Sequence, residues 1–299
     1  MDKILITGGL GQVGSYIAEN LMENNEVVLL DNMSSFTWKK VPSDIEVIKK
    51  DVLDVDIMDI VDGCDVVIHL AAQISVGKSM ENPMFDAQNN LIGTLNMLEA
   101  ARYADVNRFI YFSSAAVYGN TEYLPVDELH PLNPLSPYGA SKLSGEIYSK
   151  MYHRQFGLPV VCLRPFNIYS PRQDSSNPYS GVISIFIEKV KNNEYLPIFG
   201  SGSQTRDFVS VHDVVDMVLL AMEQDSAIGG VFNVGTGQKI SVQKLAEMIL
   251  NIHDNGGGIE YLPSRMGDIM DSYADISKAK SIGYVPKISI EMGLRKFLE

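Results

Sequence analysis

Apolar residues recur along the first two-thirds of the chain in two alternating rhythms. Short, nearly unbroken apolar runs fall at Lys3–Thr7, Glu26–Asp31, Glu46–Lys50, Asp65–Leu70, Arg108–Ser113 and Pro159–Arg164. Between them, near 12–24, 54–62, 82–104 and 138–156, apolar positions return at helical spacing. Strand, helix and strand in this order predict βαβ units and a parallel sheet. A strand solvated on one face would alternate apolar and polar residues, so runs apolar throughout predict helices on both faces. The fold class expected is α/β, a doubly wound parallel sheet. The polar, turn-rich stretch 170–180 marks a boundary, and beyond it the pattern loosens. This divides the chain into a first domain, 1–167 with a return segment near 207–236, and a smaller α/β region. That second region comprises 168–206 and 237–299, set over the C-terminal edge of the sheet, where such folds bind ligands.

Composition narrows the class of function. Hydrophobic residues are 45% and charged residues 20% of 299, which excludes disorder as the dominant state and permits a sizeable core. No apolar run reaches the roughly 18 residues of a membrane span, and Met1 leads straight into the first strand without a signal segment. Cys64 and Cys162 stand far apart in apolar surroundings, and the five histidines do not cluster. A cytoplasmic protein with neither disulfide nor metal site is therefore expected. The net charge of −13 argues against nucleic acid or an anionic membrane as partner. An anionic substrate would need a locally basic pocket.

Gly8-Gly9-Leu10-Gly11-Gln12-Val13-Gly14 follows the first strand and opens the first helix. Glycine allows the tight turn and a close approach of backbone to a pyrophosphate, and the helix N-terminus supplies N–H donors. An ordinary βα turn would need no acidic partner, but Asp31 ends the second strand 20 residues after Gly11. A carboxylate there accepts from both ribose hydroxyls and repels a 2′-phosphate, which predicts NAD rather than NADP in a Rossmann-type domain. Asp51-Val52 and Leu70-Ala71-Ala72-Gln73 follow the third and fourth strands. Spacing alone makes them equally good cofactor contacts or core packing.

Tyr138 and Lys142 open the helical stretch after the fifth strand, four residues apart and so on one face. With 14 tyrosines in the chain such a pair is nearly expected by chance; its position gives it meaning. Ser113-Ser114 ends the preceding strand, and Ser114 can bond a hydroxyl that Tyr138 deprotonates. A phenol of pKa ~10 working near neutral pH needs a depression of ~3 units, about 4 kcal/mol. Lys142 and a bound nicotinamide cation are suitable sources. A half-buried surface pair is the plainer alternative.

These residues belong to a longer series: Thr7–Gly14, Asp31-Asn32, His69–Ala72, Asn89-Asn90 with Gly93-Thr94, Ser113–Gly119 and Tyr138–Lys142. It continues with Arg164–Asn167, Arg206–Phe208, Asn233–Gly237 and Arg265–Asp268. Over nearly its whole length the chain resembles the extended short-chain dehydrogenase/reductases, and within them the UDP-glucose 4-epimerase family. The resemblance implies that Tyr138, helped by Ser114 and Lys142, removes the proton of a sugar 4-hydroxyl while NAD takes the C4 hydride. A 4-keto sugar turns over and receives the hydride on its other face. It also implies NAD contacts from Gly8, Gly11, Gln12, Val13, Gly14, Asp31, Asn32, Ser34, Ser35, Asp51, Val52, Leu70, Ala71, Ala72 and Gln73. Asn89, Ser113, Tyr138, Lys142 and Phe166 complete that set. For a UDP-sugar substrate it implies Ser114 and Tyr138 at the hexose, and Asn167, Arg206 and Arg265 at the diphosphate. Phe199 is implied at the uracil, with Val182 and Ile183 nearby, and Asp268 at the uridine ribose.

The family's gatekeeper beside the sugar C2 substituent falls on Ser272, which would leave room for an N-acetyl group; a shift of one residue would put Tyr273 there. Ala116 replaces a common Thr, and Ser170 a common Gly. A related 4,6-dehydratase would carry acidic groups where Ala115 and Ala116 stand. An NADPH reductase is disfavoured by Asp31, and a non-catalytic NAD sensor by the intact Tyr138–Lys142 pair. The resemblance further implies a homodimer in which helices 82–104 and 138–156 pair with their copies, using Met84, Phe85, Leu91, Leu95 and Leu98 on one and Leu143, Ile147 and Met151 on the other. The alternative for these faces is ordinary packing on the sheet.

Overall fold

The apolar runs pair side by side into one sheet of seven parallel strands, in the order β11-β6-β5-β4-β1-β2-β3. They are β1 (Lys3–Thr7), β2 (Glu26–Asp31), β3 (Glu46–Lys49), β4 (Val66–His69), β5 (Arg108–Phe112), β6 (Val160–Pro165) and β11 (Val231–Val234). The intervening helices are α1 (Gln12–Leu21), α2 (Ile57–Val61), α3 (Val76–Glu81), α4 (Pro83–Ala87), α5 (Gly93–Tyr103) and α6 (Pro137–Phe156). The computed structural model describes residues 1–35, 37–173, 181–253, 257–264 and 269–298.

Alternate residues of one strand feed two cores. Ile4 and Ile6 of β1 join Ile17 and Leu21 of α1 on one face, whereas Leu5 joins Val61 of α2 and Met97 of α5 on the other. Both faces are therefore apolar, and each fully buried Leu or Ile contributes about 1.5–3 kcal/mol. Strand order reverses between β1 and β4, so the crevice beyond their C-terminal ends is the place where a doubly wound sheet takes a ligand.

Helix α6 shows how local sequence fixes an element. The Ser136 hydroxyl accepts from Gly139 N at 3.1 Å, and Pro137 occupies the first turn, where its missing N–H costs nothing. Gly157 ends the helix at φ +75°, a conformation that favours glycine. The stretch 82–104, by contrast, is not one helix. Asn82 caps α4, and a π-helical turn over Gln88–Ile92 separates α4 from α5. One extra residue rotates the following face by about 100°. Several apolar residues of 82–104 and 138–156 expected at a partner are spent inside. Leu98 is fully buried, and Leu95, Leu143 and Met151 pack against the cores. The exposed ones are Met84, Phe85 and Ile147.

After β6 the chain forms β7 (Asn167–Tyr169), α7 (Val182–Lys191), β8 (Leu196–Phe199), β9 (Thr205–Arg206), β10 (Phe208–Ser210) and α8 (Val211–Glu223). Beyond β11 come β12 (Ile240–Ser241), α9 (Val242–His253), β13 (Ile259–Leu262), α10 (Ser277–Ser281) and α11 (Ile290–Leu298). Helix α8 shares a core with α1, and β11 lies beside β6. A third core gathers Phe186, Ile187, Leu196, Ile198, Leu245, Ile249 and Leu294. Three two-stranded ladders, β7/β10, β8/β13 and β9/β12, border it. Among the described residues no helix is long and apolar enough to cross a membrane.

Candidate active site

The glycine turn lies beyond β1 at the point of strand reversal. Gly8 has φ +67°, and a Cβ there would stand 2.9 Å from Ala71 N. A Cβ on Gly14 would stand 2.5 Å from Gly8 O, so α1 begins directly on the turn. Gly11 opens α1 without a side-chain cap, and the buried Gln12 Nε2 has no hydrogen-bond partner among the described residues. A narrow backbone cradle, a helix N-terminus and an orphaned amide donor suit the pyrophosphate of a dinucleotide. Val13 packs half-buried against the core.

At the tip of β2 the buried Asp31 carboxylate accepts from Leu10 N (3.1 Å) and Met33 N (2.8 Å). Burial pushes its pKa up despite these bonds. Asn32 donates to Asp51 (2.7 Å) and accepts from Ser34 N, and Asn32, Ser34 and Ser35 are exposed beyond the strand. Val52 packs under Gly93 and its carbonyl accepts from Asn96, so its side chain serves the core. Leu70, Ala71 and Ala72 line the end of β4 half-buried. Asn89 returns its amide to Phe85 O within its own helix.

The predicted reacting groups meet above β5. Ser114 caps a short turn over Ala115–Val117 by accepting from Ala116 N (3.1 Å), and it lies near enough to the Tyr138 phenol to ease its ionisation. Lys142, 4% exposed, donates from Nζ to Phe112 O at 2.9 Å and lies 5.4 Å from the centre of the Tyr111 ring. Burial lowers its pKa to about 8, with Asp86 opposing the change. Burial moves Tyr138 the other way, upward, and Ser114 only moderates this. Burial thus works against the depressed phenol that the sequence pattern called for, and a cofactor cation would work for it.

The family model described as NAD dependent epimerase/dehydratase matches residues 4–235. The chain belongs to that family. Its relatives include a UDP-glucose 4-epimerase of Mycolicibacterium smegmatis, 37% identical over 308 residues that cover 99% of this chain and 97% of the relative. Two solved structures are close in shape. The UDP-N-acetylglucosamine 4-epimerase of Methanobrevibacter ruminantium M1, in complex with UDP-N-acetylmuramic acid, has a TM-score of 0.96 and 36% identity, covering 99% of this chain and 97% of that one. The UDP-glucose 4-epimerase of Thermotoga maritima with UDP-glucose has a TM-score of 0.95 and 37% identity over the same shares. The cofactor of the family is NAD, and the turn fits it.

In this NAD-dependent epimerase/dehydratase family member the predicted substrate residues lie past β6. Phe166 is buried, while Asn167 is exposed on β7. Arg206 donates to Thr205 O and Ile269 O, and stays partly exposed. The neighbouring Asp207 carboxylate accepts from Thr236, Gly237 and Ala274 backbone N–H groups. Phe199 and Val182 are half-buried, but the Ile183 side chain is sealed in the third core. Ser272 is half-buried between Asp271, which pairs with Thr205, and Tyr273, which stands 5.8 Å from Lys239 Nζ. Arg265 and Asp268 lie outside the described residues.

Two polar networks beneath the site escaped the sequence patterns. Thr7 accepts from Leu70 N and Ala71 N and bonds His69, whose other ring nitrogen meets Thr94. Burial, with Lys142 nearby, drops His69 to about 3, so the ring stays neutral. The other network joins Asp86, Gln73, Asn90 and Ser141. Gln73, expected at the cofactor, spends its side chain there and on Ser75. Ser113, also expected there, donates to Glu146, the buried partner of Arg164. An acid on the inner side of an amphipathic pattern is the one signal that could have revealed Asp86.

Proposed function

We propose that this chain is a UDP-hexose 4-epimerase that keeps NAD as a resident cofactor. Residues 1–167 with 207–236 hold NAD; 168–206 and 237–299 hold the UDP-sugar. The observation that carries this is the meeting of Ser114, Tyr138 and Lys142 above β5, in the same parallel sheet whose β1 leads into the glycine turn, in a chain similar to UDP-sugar 4-epimerases. NAD supplies a hydride acceptor that is restored within one turnover. Tyr138 takes the proton of the 4-hydroxyl, with Ser114 bonded to the same oxygen. The Lys142 ammonium holds the resulting phenolate, and Tyr138 returns the proton after the 4-keto sugar has turned over. Arg206, Arg265 and Asn167 hold the diphosphate, and this anchor frees the hexose to turn. Phe199 packs on the uracil, and Asp268 bonds the uridine ribose.

Pure protein incubated with UDP-galactose and no added cofactor should form UDP-glucose with no net NADH. Bound NAD without turnover would point to a sensor instead. Ser272 leaves room for an acetamido group, so UDP-N-acetylglucosamine should also be a substrate. Ser272→Tyr should lower kcat/KM for the N-acetyl sugar relative to UDP-glucose by about tenfold or more, the worth of one closed contact. An unchanged ratio would remove Ser272 from the gate.

A further inference from the structure

Asp86 is completely buried on α4, yet its three hydrogen-bond partners are all neutral. Oδ2 accepts from Gln73 Nε2 (2.8 Å) and Asn90 Nδ2 (3.1 Å), and Oδ1 from Ser141 Oγ (2.6 Å). The two amide nitrogens can only donate, so Oδ2 serves as the acceptor of both. Burying a charge without a contacting cation costs several kcal/mol, and hydrogen bonds to neutral donors return only part of it. A feature that costly, one residue from Lys142 through Ser141, calls for a role.

We infer that Asp86 is a positioning residue for the reacting pair: its buried charge sets the pH window in which Tyr138 and Lys142 work together. The inference rests on the epimerase reading for its kinetic consequence, but not for its electrostatics.

Among the described residues the groups that bear on Lys142 are few. They are Phe112 O and the Tyr111 ring on β5, the neutral His69 on β4, Tyr138 on its own helix, and Asp86 on α4. Glu146, the buried carboxylate of α6, is occupied by Arg164. Desolvation therefore works to strip the Lys142 proton, and Asp86 is the charge that opposes it. A nicotinamide cation in the same crevice would strip it further. Asp86 also acts on Tyr138, raising its pKa. Both effects have the same sign. An active pair needs phenolate and ammonium at once, so the titrations of Tyr138 and Lys142 together bound the profile on its acid and alkaline sides. The Asp86 charge lifts both limbs together; it moves the window without narrowing it. Ser141 also touches Tyr138 O (3.0 Å), which ties the first turn of α6 to the same carboxylate.

The test compares the pH dependence of kcat in wild type, Asp86→Asn and Ser141→Ala, all with bound NAD. Asp86→Asn should move both limbs to lower pH by about one unit. Ser141→Ala keeps the charge, so kcat should fall with the limbs in place. A separate readout needs no turnover: the 13Cε resonance of Lys142 in labelled protein, assigned with Lys142→Met. Its midpoint should fall in Asp86→Asn. Should that variant not fold, Asp86→Ser makes the same charge change, with a hydroxyl to accept the Gln73 amide. Limbs and midpoint that stay in place, or limbs that move in opposite directions, would overturn the inference. If wild type turns over no UDP-sugar, the epimerase reading falls, and the lysine titration still decides the role of Asp86.

Discussion

Tyr138 is a phenol asked to ionise in a place where burial resists it, and the resistance is what makes its neighbours informative. Ser114 eases the ionisation of the phenol but cannot replace the phenol oxygen itself. Tyr138→Phe should therefore lower kcat by at least about 100-fold, the usual worth of a positioned acid–base group. The NAD content of the purified variant should match wild type; retention of activity within tenfold would remove Tyr138 from the base role. His69 makes a prediction of a different kind. Its folded pKa, about 3, lies below the ordinary 6.5 because the ring is buried. Above pH 6.5 the neutral ring stabilises the fold, and that contribution is lost as pH falls toward 3, because the unfolded chain takes up the proton first. Between pH 6.5 and 4 this amounts to roughly 3 kcal/mol. Urea denaturation at both pH values should show a smaller acid loss in His69→Asn than in wild type. Equal losses would mean the ring titrates normally.

Among elements, α4 and α6 leave apolar side chains uncovered. Met84 is 70%, Phe85 48% and Ile147 56% exposed, an arrangement more typical of an interface than of a solvated helix face. The expected occupant is a second copy, with helices pairing into a four-helix bundle. Light scattering at micromolar concentration should give twice the 33.0 kDa of the chain. Ile147→Glu, which would bury a charge at that contact, should return the mass to one chain. A wild-type mass of one chain would sink the dimer. The same helix also shows why α6 lies so close to the sheet: a Cβ on Gly145 would stand 2.3 Å from the Tyr111 hydroxyl. The approach brings Lys142 over the end of β5.

Across the whole molecule, Arg172 links segments far apart in sequence. It follows β7, pairs with Glu19 of α1, and lies 4.3 Å from the Tyr16 ring centre and 5.2 Å from that of Trp38. The N–H groups of Thr37 and Trp38 donate to Leu10 O in the glycine turn. One side chain thus fastens the exit of β7 to the cofactor turn. A partly exposed ion pair and two ring contacts are worth about 1–2 kcal/mol together. Arg172→Ala should accordingly speed NAD release by about tenfold, measured as cofactor retained after gel filtration. Equal retention would confine Arg172 to local packing.

Local sequence alone determined the strands of the first domain, because segments buried on both faces must be apolar along their length. It also located the glycine turn, Asp31 and the Tyr138–Lys142 pair, since each is a pattern of neighbours within one element or one crossover. Only the tertiary structure decided which side chains share a buried charge. Asp86 meets Ser141 across 55 positions, and Ser113 meets Glu146 across 33. Periodicity carries no information about such pairs. The face of α5 was likewise settled in three dimensions, because the π turn before it rotated Leu98 into the core. Spacing within an element follows from the geometry of one backbone; pairing between elements follows from how several backbones pack.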